Sequence, residues 1–263
     1  MHDAAPTEYR QSDPLDPARA QALFATLGLA EHVQAGDTLP PFFHQLYFWD
    51  ARPPAALGRD GHPRVGGLIP DMGLPRRMWA GGRLQFDHPV HLGTVAERRS
   101  VCEAVLEKTG RSGPLAFVTL RHEIWQDNRL CLTEWQDLVY RPEADPNAPP
   151  PLPPAAPGTN GEAVRFDATL LFRYSALTFN GHRIHYDEAY ARDVEGYDGL
   201  VVHGPLLAQL LMLKAVRELG DLRRFSFQGA RPLMHHETAT LCRDRTSLWV
   251  AGPDGRLVMS AEA

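Results

Sequence analysis

Cysteine is scarce in this chain and shows no pairing pattern. Cys102, Cys131 and Cys242 lie far apart with no CxxC spacing, which excludes a disulfide framework and points to free thiols in a reducing compartment. No Lys/Arg-rich run occurs, and the formal net charge of -5 argues against a dedicated nucleic-acid binder. No segment approaches the roughly 18 consecutive apolar residues of a membrane span. Residues 1–8 have neither the basic n-region nor the apolar h-region of a secretory signal. The expectation is a soluble, cytoplasmic protein without nucleic-acid or membrane partners. Two more absences restrict the chemistry. There is no Gly-x-Ser-x-Gly elbow for a Ser/His/Asp triad, and no Gly-rich dinucleotide fingerprint, so no nicotinamide or flavin cofactor is implied.

Proline is the residue in excess, at 23. Half of residues 142–157 are proline, and such a segment neither continues a helix nor pairs into a sheet. We read 142–162 as a linker between an N-terminal half, 1–141, and a C-terminal half, 163–263; a docking motif for another protein is the functional alternative. In the first half, Asp16-Pro17 supplies an N-cap and a first-turn proline. Ala20, Leu23, Phe24 and Leu27 then recur at helical spacing. Strand-like runs follow at 83–90, 115–125 and 130–140, the last two flanking a hairpin connection at 126–129. The Gly/Pro-rich section 52–82 carries no assignable pattern. In the second half a strand-like run at 165–173 precedes a polar cluster. A helix over 205–219 comes next, apolar nearly all round and stopped by Gly220, so it must be buried on most sides. Strands are expected at 223–229, 238–243, 247–251 and 256–260. Two strand-bearing halves suggest an old duplication.

The most informative segment is Phe172-Arg-Tyr-Ser-Ala-Leu-Thr-Phe-Asn-Gly-His-Arg-Ile-His-Tyr-Asp187, followed by Val201-Val-His-Gly-Pro-Leu-Leu207. His185 is the natural proton carrier at neutral pH. Asn180 offers a donor and an acceptor to hold a water or a substrate oxygen. At Gly204 a helix N-terminus presents unpaired N–H groups and the positive end of its dipole. Such a donor, aimed at a developing oxyanion, is worth roughly 2.7–4 kcal/mol of barrier. Asp187, ahead of Glu188-Ala-Tyr-Ala191, reads either as the N-cap of a short helix or as a catalytic group. His182 and His185 have HxxH spacing, as do His88 and His91, but without further Cys/His/Asp partners at ligand spacing no metal is expected. His235-His236 reads as surface or structural.

These two motifs, with Gly199-Leu-Val ahead of the second, resemble the MaoC-like hydratase/dehydratase superfamily. The likeness is nearest to its double-hotdog group of mesaconyl-C4-CoA and itaconyl-CoA hydratases and hydroxyacyl-thioester dehydratases. The match is dense over about 45 residues. Pro75-Arg-Arg-Met-Trp-Ala-Gly-Gly-Arg-Leu84 is similar to that group's N-terminal half. The resemblance implies an α+β double hotdog, each half a curved antiparallel sheet wrapped around a long central helix. It also implies reversible hydration of the C2=C3 bond of an enoyl-CoA thioester, without cofactor or metal. R-specific hydratases of the superfamily use an Asp and a His five residues apart; His185 matches the His, while Asn180 stands at the Asp position. An amide accepts no proton at neutral pH, so either Asn180 orients the water while His185 carries the acid/base work, or another carboxylate, with Asp187 the nearest, supplies the base. Gly204 matches the oxyanion donor.

The implied substrate is a branched dicarboxylic acyl-CoA such as mesaconyl- or itaconyl-CoA. Arg76, Arg77 and Arg183 are candidates to meet its free carboxylate or the CoA phosphates, and His203 is a further candidate for substrate contact. A dehydratase of 3-hydroxyacyl groups on acyl carrier protein, a hotdog thioesterase and a non-catalytic acyl-CoA binder are the alternatives. Hotdog sheets pair edge to edge, and here the halves could pair within one chain, so both a monomer and a homodimer are open.

Overall fold

The computed structural model describes residues 8–110, 113–142 and 154–263. Most of the N-terminal stretch read for a signal, and the middle of the proline-rich segment, lie outside the described residues. In chain order the first half supplies β1 (Tyr9–Asp13), α1 (Pro17–Thr26), a 3-10 turn (Phe43–Leu46), β2 (Arg76–Phe86), β3 (Ala96–Gly110), β4 (Gly113–Gln126) and β5 (Arg129–Arg141). The second supplies β6 (Glu162–Arg165), α2 (Ala168–Leu177), a 3-10 turn (Arg183–His185), α3 (Glu188–Asp193) and α4 (Gly204–Leu219), then β7 (Arg224–Gly229), β8 (Thr238–Asp244), β9 (Ser247–Ala251) and β10 (Leu257–Glu262).

All ten strands form one antiparallel sheet in the order β1-β3-β4-β5-β2-β7-β10-β9-β8-β6. The halves therefore meet edge to edge at β2 and β7, with Gly82 opposite Phe227 and Leu84 opposite Phe225. Glycine is required at this seam: a Cβ on Gly81 would lie 2.5 Å from the Phe227 carbonyl oxygen. A pairing that leaves no free edge at the junction removes the usual hazard of exposed strands. The double hotdog expected from the sequence is the fold observed, and any homodimer would use a surface other than this seam.

The long helix belongs to the second half. Leu206, Leu207, Ala208, Leu211, Met212 and Ala215 of α4 are buried on the sheet, and Leu210 and Leu213 pack against the same core. Gln209, also buried, donates from Nε2 to the Pro41 carbonyl at 2.9 Å and ties the helix to the first half. There the counterpart is only the ten-residue α1, capped by Asp16. Its neighbourhood is filled by Phe24, Phe42, Phe43, Leu46, Tyr47 and Phe48, with Phe42 and Phe48 in left-handed conformations. A long central helix is thus present once, and aromatic packing takes its place in the first half.

Two local departures have physical causes. The strand expected at 165–173 is the end of β6 followed by α2. Asp167 caps that helix by accepting from the Leu170 N–H at 2.7 Å, and Leu171 and Tyr174 then fall on one buried face; a short apolar run does not distinguish the two periods. β3, which the sequence did not suggest, carries Glu97-Arg98-Arg99 in succession near buried Ser100, is exposed from Glu103 to Thr109, and pairs with β1 and β4. By contrast β4 alternates strictly between more and less buried positions, and its hairpin to β5 turns through Asp127 and Asn128 at φ 50° and 59°. No helix among the described residues is long and apolar enough to cross a membrane.

Candidate active site

The polar cluster begins where α2 stops. Phe179 takes a left-handed φ of 52°, the Asn180 N–H returns to the Ser175 carbonyl at 2.8 Å, and the chain turns into the site. Asn180 Oδ1 accepts from the backbone N–H of His182 at 3.0 Å, leaving the side-chain NH2 as its working group, a donor. His185 is buried, and its Nδ1 lies 2.7 Å from the carbonyl oxygen of Val201. A carbonyl only accepts, so Nδ1 carries the proton and Nε2 presents a lone pair. Burial, reinforced by His182, pushes the His185 pKa down to about 3, partly offset by the Val201 carbonyl; the imidazole is neutral. Behind it His203 stacks at 3.6 Å and reaches Ser175 Oγ at 2.8 Å through Nε2.

α4 starts at Gly204 without a side-chain cap, Pro205 has no N–H, and Leu207 N donates to the His203 carbonyl at 3.2 Å. The donors left at the helix end are those of Gly204 and Leu206. A Cβ at Gly204 would meet nothing within 4 Å, so a ligand has room to approach. Asp187 acts as the N-cap of α3, accepting from Tyr190 N at 3.0 Å while pairing with Arg183 at 2.7 Å.

The first half enters here through the section that carried no sequence pattern. Gly61, at φ 87°, lies so close to Gly181 that a Cβ on either would strike the other's carbonyl oxygen, and the Arg183 N–H donates to the Asp60 carbonyl at 2.9 Å. This docking delivers Asp60 and His62. Their side chains pair at 2.9 Å through His62 Nδ1, and the His62 ring lies 4.3 Å from that of His182, which is 5.4 Å from that of His185. Burial alone would raise the Asp60 carboxyl, but hydrogen bonds from His62 and the His62 charge hold it well below the usual carboxylate range. Burial pushes His62 down, with Asp60 opposing, and pushes His182 down to about 3. Neither Asp60 nor His62 was singled out in the sequence. The Asp60-Gly-His-Pro63 turn was the available signal, but it stands some 120 residues from Asn180.

A cavity of about 430 Å³ joins these groups: Asp60, His62, Asn180, His182, His185 and Gly204 all line it. Arg76 and Arg77 line it too, Arg76 with its Nε 3.6 Å from Glu195. Arg183 and His203 do not; Arg183 pairs with Asp187 and stacks over Tyr190 at 4.1 Å, and His203 sits behind His185. Among the described residues, Asp60, His62 and His182 are the group whose ligand atoms could gather round a metal ion. They are three, His62 Nδ1 already points at Asp60, and the Arg77 cation acts on both imidazoles, so the hydrogen-bonded pair accounts for them without a metal.

A family model described as hydroxyacyl-thioester dehydratase type 2 matches residues 42–235. Mesaconyl-C(4)-CoA hydratase of Chloroflexus aurantiacus is 45% identical over 258 residues, 95% of this chain and 92% of the relative. HtdX of Mycobacterium tuberculosis superposes with a TM-score of 0.68 at 18% identity, over 97% of this chain and 98% of its own. A second protein of that organism, described as a double hotdog, gives 0.59 at 14% over 98% and 94%. The two structures speak for the fold alone; the family rests on the first two matches. A neutral histidine with a free Nε2 and a bare helix N-terminus across one cavity suit addition or removal of water at an acyl thioester, and the chain belongs to the hydroxyacyl-thioester dehydratase type 2 family.

Proposed function

We propose that the protein hydrates the C2=C3 bond of an enoyl-CoA thioester whose acyl group is branched and dicarboxylic, such as mesaconyl-C4-CoA. The reading rests above all on His185, whose Nδ1 is committed to the Val201 carbonyl so that Nε2 faces the cavity as a base. In this mechanism the Gly204 N–H polarises the thioester carbonyl. Nε2 takes a proton from a water as its oxygen bonds to C3, the electron pair moves toward the thioester oxygen, and a proton returns to C2 on the same face. Asn180 donates to the water rather than accepting from it, since its Oδ1 is already engaged. That use of the amide answers the absence of an aspartate at 180. Asp187, with its cap and ion pair, is not needed as a base.

Electrostatics support a polyanionic substrate. Arg76, Arg77, Arg141 and Arg231 line the cavity against Asp60 and Glu195, and an excess of fixed positive charge in a cleft raises the local concentration of CoA phosphates. The name of the 45%-identical relative supports the acyl group. Dehydration of a 3-hydroxyacyl thioester is the same reaction in reverse, and the family description favours keeping it as a second reading.

The test follows loss of enoyl-thioester absorbance with crotonyl-, mesaconyl-C4- and itaconyl-CoA, each beside His185→Ala. Turnover of a dicarboxylic thioester is expected, with kcat falling by roughly 10²–10⁴ in the variant. Silence on all three, with thioester binding intact, would move the assignment to 3-hydroxyacyl groups on acyl carrier protein or to a binder without turnover.

A further inference from the structure

A second cavity, of about 280 Å³, shares His62, Gln136 and Asn180 with the first. Those three residues form walls of both cavities, and Asn180 is one of the water-handling groups of the proposed mechanism. Its other walls include Gln45, Phe48, Trp49, Phe179, Arg98 and Asp50, whose carboxylate faces the Arg52 guanidinium at 2.7 Å. Arg98, on β3, is the group in this cavity that the mechanism leaves without work. Its Nη2 donates to the side-chain oxygen of Gln11 and, at 2.9 Å, to the Phe48 carbonyl, both neutral acceptors. Its Nε is buried with no partner, and among the described residues no carboxylate lies within ion-pair distance. The buried acid Glu134 is engaged by His44 Nε2 at 3.0 Å and Gln45 Nε2 at 2.7 Å, and Asp13 by Arg19 at 3.1 Å. The guanidinium lies 5.4 Å over the Phe48 ring, and burial works against its charge.

We propose that this smaller cavity is the subsite for the free carboxylate of the acyl group, and that Arg98 reads it. The inference deepens the dicarboxylic reading above and rests on it. A partly buried cation without a counter-ion is costly, and the planar fork of an arginine, here with a spare N–H, matches a carboxylate. The cavity has one cation, Arg98, where the larger one has four arginines, and its one acid, Asp50, is already paired with Arg52. It adjoins Asn180, beside which C3 of the substrate lies in the proposed mechanism, so a carboxylate carried on that end of the acyl group enters it. A monocarboxylic acyl group would present a methyl there and leave Arg98 unpaired. None of the three arginines suggested by the sequence motifs occupies this position.

The experiment compares hydration of mesaconyl-C4-CoA and crotonyl-CoA by the wild type, Arg98→Met, Arg98→Lys and Arg77→Met. Arg98→Met is expected to lose about 10²-fold in kcat/KM on the dicarboxylic thioester and little on crotonyl-CoA, with Arg98→Lys intermediate. Arg77→Met is expected to weaken both alike. Competition by the unreactive pair succinyl-CoA and butyryl-CoA provides a second readout: the wild type should prefer the first, and the preference should vanish in Arg98→Met. Should Arg98→Met fail to fold, Arg98→Lys carries the same comparison with the charge kept. Equal losses on both thioesters, or undiminished preference in the Arg98 variants, would overturn the subsite while leaving the hydratase reading intact. A wild type that turns over crotonyl-CoA and no dicarboxylic thioester would sink the dicarboxylic reading and this inference with it.

Discussion

The two halves share a sheet but not a strategy. The second buries a sixteen-residue helix and starts it bare at Gly204, so that one continuous stretch, 172–206, holds His185, Asn180 and the helix-end donors. The first has a ten-residue helix, fills the remaining space with aromatics, and buries a polar network of His44, Gln45, Glu134, Ser100 and His122. It adds Asp60 and His62 to the shared cavity through a loop, and Arg98 to the smaller one. The difference teaches how one fold used twice divides labour. In the proposed mechanism the half with the long helix carries the chemistry, and the half without it has polar interior surface available to shape the acyl end.

The largest expected effect concerns acid, because both halves store neutral histidines. His122 in the first half, and His185 and His203 in the second, are buried. Burial pushes His122 down to about 4, with Arg98 adding to it, His185 down to about 3, and His203 well below the ordinary range. The fold favours the neutral form, so below the unfolded pKa of about 6.5 the unfolded chain binds more protons, and stability falls with falling pH. Above about 6.5 these groups contribute no slope. Each costs roughly 1.4 kcal/mol per pH unit in that window, so these three give about 4 kcal/mol per unit, and the lowered His62 and His182 add to the same slope. Against a total of about 5–15 kcal/mol, unfolding above pH 4 is expected. Below that the lowered Asp60 and Glu134 carboxyls act in the same direction. Urea midpoints from pH 7 to 4.5 should reveal the slope, and His122→Asn should remove about one fifth of it. A native state that survives pH 3.5 unchanged would refute the neutral assignment.

A smaller effect breaks the link between the halves. In Gly61→Val a branched side chain meets both a left-handed backbone and the Gly181 carbonyl. The loop must move, taking Asp60 and His62 with it, while α4 and its sheet are untouched. The expected result is a loss of about 10² in kcat/KM with the far-ultraviolet spectrum preserved. Wild-type turnover in this variant would mean that the first half contributes no positioning to the reaction.

Legibility followed the same division. The stop of α4 at Gly220, the hairpin through Asp127 and Asn128, and β9 at Ser247–Ala251 stand where periodicity and turn chemistry put them. Asn180, His185 and Gly204 could be singled out because they are close in sequence and of reactive types. Asp60 and His62 could not, since what makes them part of a site is a contact between two glycines far apart in the chain. Arg98 was hidden in a different way: on a ribbon that also carries Glu97, Arg99, Glu103 and Glu107, one arginine lacking a counter-ion is invisible until the fold removes it from water.

The smallest expected effect separates Arg183 from Arg98. The sequence puts Arg183 beside the catalytic motif as a substrate cation, whereas its contacts are those of a clamp. Nε and Nη2 reach Asp187 Oδ2 at 3.1 and 2.7 Å, Nη1 reaches the Arg59 carbonyl at 3.3 Å, and the guanidinium covers Tyr190. A pair this exposed contributes little to stability, and much of its cation–π partner's packing survives a long apolar replacement. Arg183→Met should therefore lower the melting temperature by a few degrees at most. Through the loose loop it should reduce turnover of mesaconyl-C4-CoA and crotonyl-CoA by the same small factor. The ratio of the two kcat/KM values is the decisive number. If it stays at the wild-type value in Arg183→Met and falls in Arg98→Met, carboxylate recognition belongs to the half without the long helix; if it falls in Arg183→Met instead, the second half reads its own substrate.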